Sequence, residues 1–330
     1  MELARNNSTT AKQFITNELT FERPISIAFI SVNLLVITLG IFINSVVIHL
    51  YRRRKISHSL FNFFLMNLGI SNIIQNIGAL PFVIYFHRSV EDLVPIRRND
   101  LICWFVRGAP VFWVAAFVTM QTLAFMNVQF YHIIKKPFLR EDKRNFVYHI
   151  IAFWLVDFAS LAPNFMFFKY DKINGFCRRI SAEHWTVQLY KSALYLFGFF
   201  IPLCIIIVTY ALIIREFYIK SKIGYKAESP VKVKYRKNVV VFLGALIFLI
   251  FVTSLPLGVV FILITVTNHS GPPGDPRFEV RITRLLKLAT FPCCCTAILN
   301  VAFYAGKDVE IRNGFKYFFG ASSDTRQRKK

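Results

Sequence analysis

Residues 247–266 read IFLIFVTSLPLGVVFILITV, twenty positions without a charged side chain. A helix rising ~1.5 Å per residue needs about 20 such positions to cross the hydrocarbon core of a bilayer. This stretch is long enough to do so, and it is one of several. Apolar runs of similar length cover residues 26–51, 59–87, 101–134, 146–168, 188–216, 238–266 and 281–304. The second, third and fourth carry scattered polar residues, and Arg281, Arg284 and Lys287 crowd the start of the seventh. Seven spans use most of a 330-residue chain. The reading is an all-α membrane protein, a seven-transmembrane helix bundle, with a short amphipathic eighth helix in its tail.

Composition excludes the other classes. Hydrophobic residues make up 55% of the chain and charged residues 18%, against about 25% charged in an ordinary soluble domain. Mean hydropathy is +0.47, and 36 residues are Phe. One soluble core could not hide that much apolar surface. Disordered chains are poor in the same residues. The net charge of +22 invites a nucleic-acid reading, but the placement of the charge favours a membrane.

More than half of the 40 basic residues fall on one side of the seven spans. They form the clusters Arg52–Lys55, Lys135–Arg144, Arg215–Lys237 and Lys307–Lys330. Basic loops stay in the cytoplasm, so the N-terminus is expected outside and the C-terminus inside. The organisation read is an extracellular segment over 1–25, a seven-span domain over 26–304, and a cytoplasmic amphipathic helix and tail over 305–330. The first apolar run is too long for the apolar region of a cleaved signal and is expected to act as an anchor.

Two features agree with this topology. Glycosylation sequons begin at Asn6, Asn7 and Asn268, and all three fall outside. Cys103 and Cys177 also fall outside, where disulfides persist. The two either bridge or remain as two thiols. Cys204, Cys293, Cys294 and Cys295 lie within spans and read as packed thiols.

The residues then resemble a family. Gly40 and Asn44 through Val47 in the first span are similar to a Gly and Asn-x-x-Val pattern. Asn67 through Asn72 (NLGISN) in the second is similar to Leu-Ala-x-x-Asp, with Asn72 at the acidic position. Gln129, Phe130 and Tyr131, followed by Pro137, stand like an Asp-Arg-Tyr segment. Trp154 and Pro163, Pro202 and Tyr210, then Pro256, mark spans four, five and six. Asn300 through Tyr304 is similar to Asn-Pro-x-x-Tyr, and residues 308–319 resemble a short eighth helix. One match per helix, in order, identifies the chain as resembling the rhodopsin-like (class A) G-protein-coupled receptors, as a divergent member.

That resemblance implies a plasma-membrane receptor that binds an extracellular ligand and acts on a heterotrimeric G protein. It also implies departures. Asn72 replaces an Asp that helps bind sodium in the family. Gln129 and Phe130 replace the Asp-Arg pair, Ser254 stands where a toggle Trp is frequent, and Val301 replaces a Pro. The spacing from Cys103 to Pro137 is two residues longer than the family's usual one. Switch and polar-core candidates are Asn44, Asn72, Phe130, Tyr131, Tyr210, Pro256, Asn300 and Tyr304. The asparagines and Tyr304 either bond between helices or satisfy themselves on a neighbouring carbonyl.

Charge suggests where a ligand would bind. Arg107, Lys191, Arg284 and Lys287 lie toward the outer ends of their helices. If they converge, the outer mouth is positive and favours an anionic ligand; otherwise their chains reach water or headgroups. Asp157 is the carboxylate deep in a span and is a functional candidate by default. The basic 216–238 loop can meet acidic lipid headgroups or a transducer. No nucleic acid, cofactor or metal is expected. The sequence carries no Cys-x-x-Cys, His-Glu-x-x-His or Gly-x-Ser-x-Gly motif, so no enzyme is expected. A Schiff-base light receptor is disfavoured, because Cys294 stands where such members carry Lys. Two alternatives remain: a receptor-like protein without G-protein coupling, and a transporter or channel subunit.

Overall fold

The computed structural model describes residues 2–53, 60–85, 100–135, 143–171, 176–179, 185–222, 230–267, 276–307 and 309–320. Helix α1 runs over Glu2–Arg52, α2 over Leu60–Tyr85, α3 over Asp100–Gly108 and α4 over Pro110–Lys135. Then come α5 (Lys143–Leu161), a 3₁₀ segment (Ala162–Phe167) and a two-stranded hairpin of β1 (Phe168–Asp171) and β2 (Phe176–Arg179). Helix α6 (Trp185–Tyr195) continues through a π-helical turn (Leu196–Phe200) into α7 (Ile201–Lys222). The chain closes with α8 (Pro230–Thr253), α9 (Leu255–Thr267), α10 (Pro276–Lys307) and α11 (Val309–Phe318).

Six stretches among the described residues are long and apolar enough to cross a membrane: Ile27–Arg52, Asn62–Pro81, Asp100–Lys135, Asn145–Met166, Leu189–Ile219 and Val240–Val260. A further stretch, Leu288–Phe303, is apolar but shorter among the described residues.

Three of the spans read as single runs are each built from two pieces. The third breaks at Ala109, whose φ is 42°. A non-glycine residue in that region is uncommon and costs about 1 kcal/mol or more. The break falls inside the stretch whose spacing is two residues long. The fifth contains the π turn ahead of Pro202. The sixth breaks at Ser254, because Pro256 has no N–H with which to continue the ladder. The backbone resumes through Ser254 N–H to the Ile250 carbonyl (2.8 Å) and Gly258 N–H to that of Ser254 (3.1 Å). Pro163 follows the end of α5 at Leu161 and lies in the 3₁₀ segment. Pro81 and Pro292 sit inside α2 and α10.

The helices extend beyond the apolar spans in two places. The segment over 1–25 is helical from Glu2 and continuous with the first span. The basic stretch over 216–238 is largely helix, since α7 runs to Lys222 and α8 starts at Pro230. Among the described residues the hairpin is an addition to helices. Its register pairs Phe168 with Arg179 and Tyr170 with Cys177.

Helices α2 and α4 form the centre, with α1 and α10 on one flank and α5 and α7 on the other. Phe64, Leu65, Leu68, Phe112, Met126, Ile206 and Leu243 are fully buried. On α5, Tyr148, Leu155, Val156 and Phe158 are exposed, as suits a lipid-facing side. Phe64, Phe125, Phe146 and Phe153 join α2, α4 and α5 with ring centroids 5.6–6.0 Å apart. Each such pair adds about 0.5–1.5 kcal/mol beyond the area it buries. In α2, Gly78 lets the backbone of α4 come close. A Cβ there would meet Phe112 N and lie 2.9 Å from Phe112 Cα.

The eighth helix splits its apolar face. Ile311 is buried and Phe315 packs on the core, with Gly314 against Leu50 at the end of α1. Tyr317 and Phe319 are exposed, as fits an in-plane helix with one apolar edge toward lipid.

Candidate functional site

Lipid offers no hydrogen-bond partner, so polar side chains within spans must find one another or a backbone group. Along α2, Asn67, Ser71 and Gln75 recur every four residues and share a face, with Asn72 and Asn76 beside it. All five are buried.

The first cluster joins α1, α2 and α10. Asn44 Nδ2 donates to the Gly40 carbonyl (2.8 Å) in its own helix and to the Ala297 carbonyl (3.0 Å) in α10. Asn72 Nδ2 donates to Asn44 Oδ1 at 3.4 Å. Asn44 therefore takes both of the alternatives open to it. Asn300 is buried on α10 one turn below Ala297. Tyr304 lies on the same helix, with its side chain outside the described residues.

One helical turn from that cluster, Gln75 Nε2 donates to Cys293 Sγ (3.6 Å), and the Cys293 thiol approaches Ser254 Oγ (4.0 Å). These weak bonds tie α2 and α10 to the residue at which the sixth span breaks. Interhelical bonds of this kind contribute roughly 0.6–2 kcal/mol each in membranes. A second cluster joins α2, α4 and α5. Asn67 Nδ2 donates to Thr122 Oγ1 (2.9 Å), Trp154 Nε1 donates to Asn67 Oδ1 (3.4 Å), and the Thr119 and Ser71 hydroxyls meet at 2.9 Å. Gln121 Nε2 donates to Asp157 Oδ1 at 2.9 Å. Asp157 is 3% exposed, and its Oδ2 is buried without a partner. Ser160 bonds the Asp157 backbone carbonyl, not its carboxyl.

At the Lys135 end of α4, Phe130 is buried, so the position is filled by packing where charge was possible. Tyr131 receives Lys135 Nζ on its hydroxyl (3.2 Å) and over its ring (5.5 Å). Tyr210 donates from α7 to the Val240 carbonyl of α8 at 3.3 Å. Gly244 makes room for that hydroxyl, because a Cβ there would collide with it. Gly244→Ala is expected to expel the hydroxyl and lower the melting temperature by about 2–4 °C, as for a loss of roughly 1 kcal/mol. Tyr210→Phe should do the same, and a melt of the double variant should show no further loss.

At the opposite end of the bundle, Cys103 is fully buried and disulfide-bonded. Helix α3 packs on both strands of the hairpin. Asp100 Oδ1 accepts the Tyr170 N–H at 2.7 Å, and Trp104 packs on Phe165 at 5.8 Å. Cys177 lies on β2, opposite Tyr170. Arg107 lies on α3, and Arg284 and Lys287 lie one turn apart on α10. The side chains of Cys177, Arg107, Arg284 and Lys287 are outside the described residues. Lys191 is half-buried on α6. Asn6 and Asn7 fall on the first turns of α1, with their side chains outside the described residues, and Asn268 lies outside them altogether. Pro256 is the second residue of α9. Among the described residues no three His, Cys, Asp or Glu side chains are placed to hold a metal.

The sequence profile of the 7 transmembrane receptor (rhodopsin family) matches residues 43–304. Galanin receptor type 1 of Rattus norvegicus is 30% identical over 220 residues, which is 63% of this chain and 60% of that receptor. Neuropeptide S receptor of Macaca mulatta is 31% identical over 186 residues, or 54% and 47%. The protein named Rhodopsin, GQ-coupled, of Mizuhopecten yessoensis is 29% identical over 190 residues, or 54% and 36%. In each case the match spans less than two thirds of the relative's length.

Proposed function

The chain belongs to the 7 transmembrane receptor (rhodopsin family), and from that premise we propose that it binds an extracellular ligand and passes a conformational change to a heterotrimeric G protein. The observation that carries the reading is the polar linkage from Gln75 through Cys293 to Ser254. It joins three helices at the point where the sixth span is already broken, so a shift among them moves the α8 piece as a unit. A ligand need only bind one arrangement of these helices better than the other.

The finer parts of the proposal follow from topology. The protein is multi-pass, and we place it in the plasma membrane with its N-terminus outside. Cys103 pairs with Cys177 across α3 and β2, and the sequons at Asn6, Asn7 and Asn268 face outside. Two of the relatives are named as receptors for galanin and neuropeptide S, and a third as GQ-coupled. These names support a peptide ligand and a G-protein partner here.

The test uses surface-displayed protein, verified with an N-terminal tag on unpermeabilised cells, and measures G-protein nucleotide exchange. Phe130→Arg puts a guanidinium at a position that is 7% exposed in the structure. Its desolvation cost destabilises the closed arrangement. Exchange is expected to rise about 5-fold or more, the lower end of ordinary coupling energies. Unchanged exchange in a displayed, folded variant would favour a receptor-like protein without coupling, in which Phe130 is simply packed.

A further inference from the structure

Helix α11 is fixed against the end of α1. Ile311 and Gly314 are buried, and a Cβ on Gly314 would lie 2.9 Å from Leu50 Cδ1. The Phe318 ring meets that of His49 edge-on at 6.0 Å. His49 and Leu50 therefore mark the side of α1 that α11 covers. Arg53 follows them by four and three residues, so it falls on the same side, one turn further along. Arg53 is exposed, and so is Arg52. On α11, Arg312 and Lys316 are one turn apart and share a face, and both are exposed. Among the described residues no carboxylate pairs with any of the four. The adjoining sequence adds Arg54, Lys55 and Lys307 against Asp308 and Glu310, so this corner keeps a positive excess.

An apolar stripe leads to the corner. Leu35, Phe42 and His49 recur every seven residues on α1 and are exposed, with Arg53 one turn beyond. That spacing holds them on one side of the helix. From Phe42 to Arg53 is eleven residues, a rise of ~16 Å at ~1.5 Å per residue. Half of a hydrocarbon core ~30 Å thick is about the same, so the stripe matches one acyl layer. Beside Lys316, Tyr317, Phe318 and Phe319 expose aromatic rings.

We propose that the corner between α1 and α11 binds a phospholipid whose headgroup carries several phosphates, in the manner of a phosphorylated phosphatidylinositol. The acyl chain lies along Leu35 and Phe42, and the headgroup meets Arg52 and Arg53 from one helix and Arg312 and Lys316 from the other. Acidic lipids attract basic segments in general. Here the contacts of Gly314 and Phe318 hold two basic helix faces at one corner, and a headgroup with several phosphates can engage both. Arginine suits phosphate oxygens because its N–H groups bind them in pairs. An apolar stripe ending in charge fits an amphiphile better than a soluble phosphate. The proposal needs only a chain that spans the membrane and stands apart from G-protein coupling.

The full chain, purified in an uncharged detergent, is titrated by native mass spectrometry with three probes. These are phosphatidylinositol bisphosphate, phosphatidylserine and soluble inositol trisphosphate. The bisphosphate lipid is expected to bind about 5-fold or more tighter than phosphatidylserine, as for one further basic residue engaged at a charged surface. Arg53→Gln should weaken it about 5-fold, and Arg312→Gln with Lys316→Gln about 30-fold, on the same scale. Arg215→Gln, at an exposed position on α7 across the bundle, should change binding by less than about 2-fold, since distant exposed charges are screened. Lys316→Gln alone, with about a 5-fold loss expected, serves should the double variant not be recovered.

Unchanged binding in the α11 variants overturns the proposal. So does an equal loss in Arg215→Gln and Arg53→Gln, which means diffuse charge and no defined corner. Phosphatidylserine binding as tightly as the bisphosphate lipid overturns the headgroup assignment. Soluble inositol trisphosphate competing as well as the lipid means a free-phosphate site, and overturns the acyl part. Failure of nucleotide exchange leaves all of these outcomes untouched.

Discussion

Gly78→Ala will destabilise the folded receptor by about 2–3 kcal/mol, the cost of forcing extra volume into a packed interior. A Cβ at Gly78 meets backbone, namely Phe112 N, Phe112 Cα at 2.9 Å and the Val111 carbonyl carbon at 2.9 Å. Backbone cannot rotate aside as a side chain can, so α2 and α4 must move apart along the central contact of the bundle. Thermal melts and surface yield should both fall. Gly306→Ala is the contrast. Nothing lies within 4 Å of a Cβ there, and alanine is the better helix former by up to about 1 kcal/mol. That variant should melt at or above the wild-type temperature. Equal losses at the two glycines would refute the close approach of α2 and α4.

The second large effect concerns Gln121 and Asp157. Gln121→Leu removes the donor to Asp157 Oδ1 and leaves both carboxyl oxygens buried without a partner, since Oδ2 already lacks one. The expected loss is about 2–3 kcal/mol. Adding Asp157→Leu should recover most of it, because removing both polar partners is nearly neutral where removing one is not. Melts of the two single variants and the double variant close the cycle. A double variant as unstable as Gln121→Leu alone would mean that Asp157 has a further role.

Much of the architecture was legible because membrane crossing demands length. A run such as residues 247–266 fits little besides a bilayer span, and the weak seventh span was legible as weak for the same reason. The α2 seam was legible in principle, since Asn67, Ser71 and Gln75 recur every four residues. Their partners were not. Whether Gln121 meets Asp157 depends on how α4 and α5 are rotated against each other, and that rotation follows from packing by Phe125, Phe146 and Phe153. The thiol of Cys293 gave no sign in the sequence that it would face Ser254. The break at Pro256 follows from its missing N–H, but the break at Ala109 does not follow from alanine, which ordinarily favours a helix. The hairpin strands are four residues each, too short to carry a period.

The break at Ala109 also bears on how such a chain can change over generations. In an unbroken helix, inserting one residue turns everything beyond it by about 100°. A mutation near the Cys103 end would then spoil the packing of Gln129, Phe130 and Tyr131 at the other. A left-handed residue between two helical pieces removes that transmission. The short piece α3, with its disulfide and hairpin, becomes an interchangeable cap that can gain or lose residues, while the long piece α4 keeps its facing against α2 and α7. In such a chain, what is sensed and what responds can diversify independently.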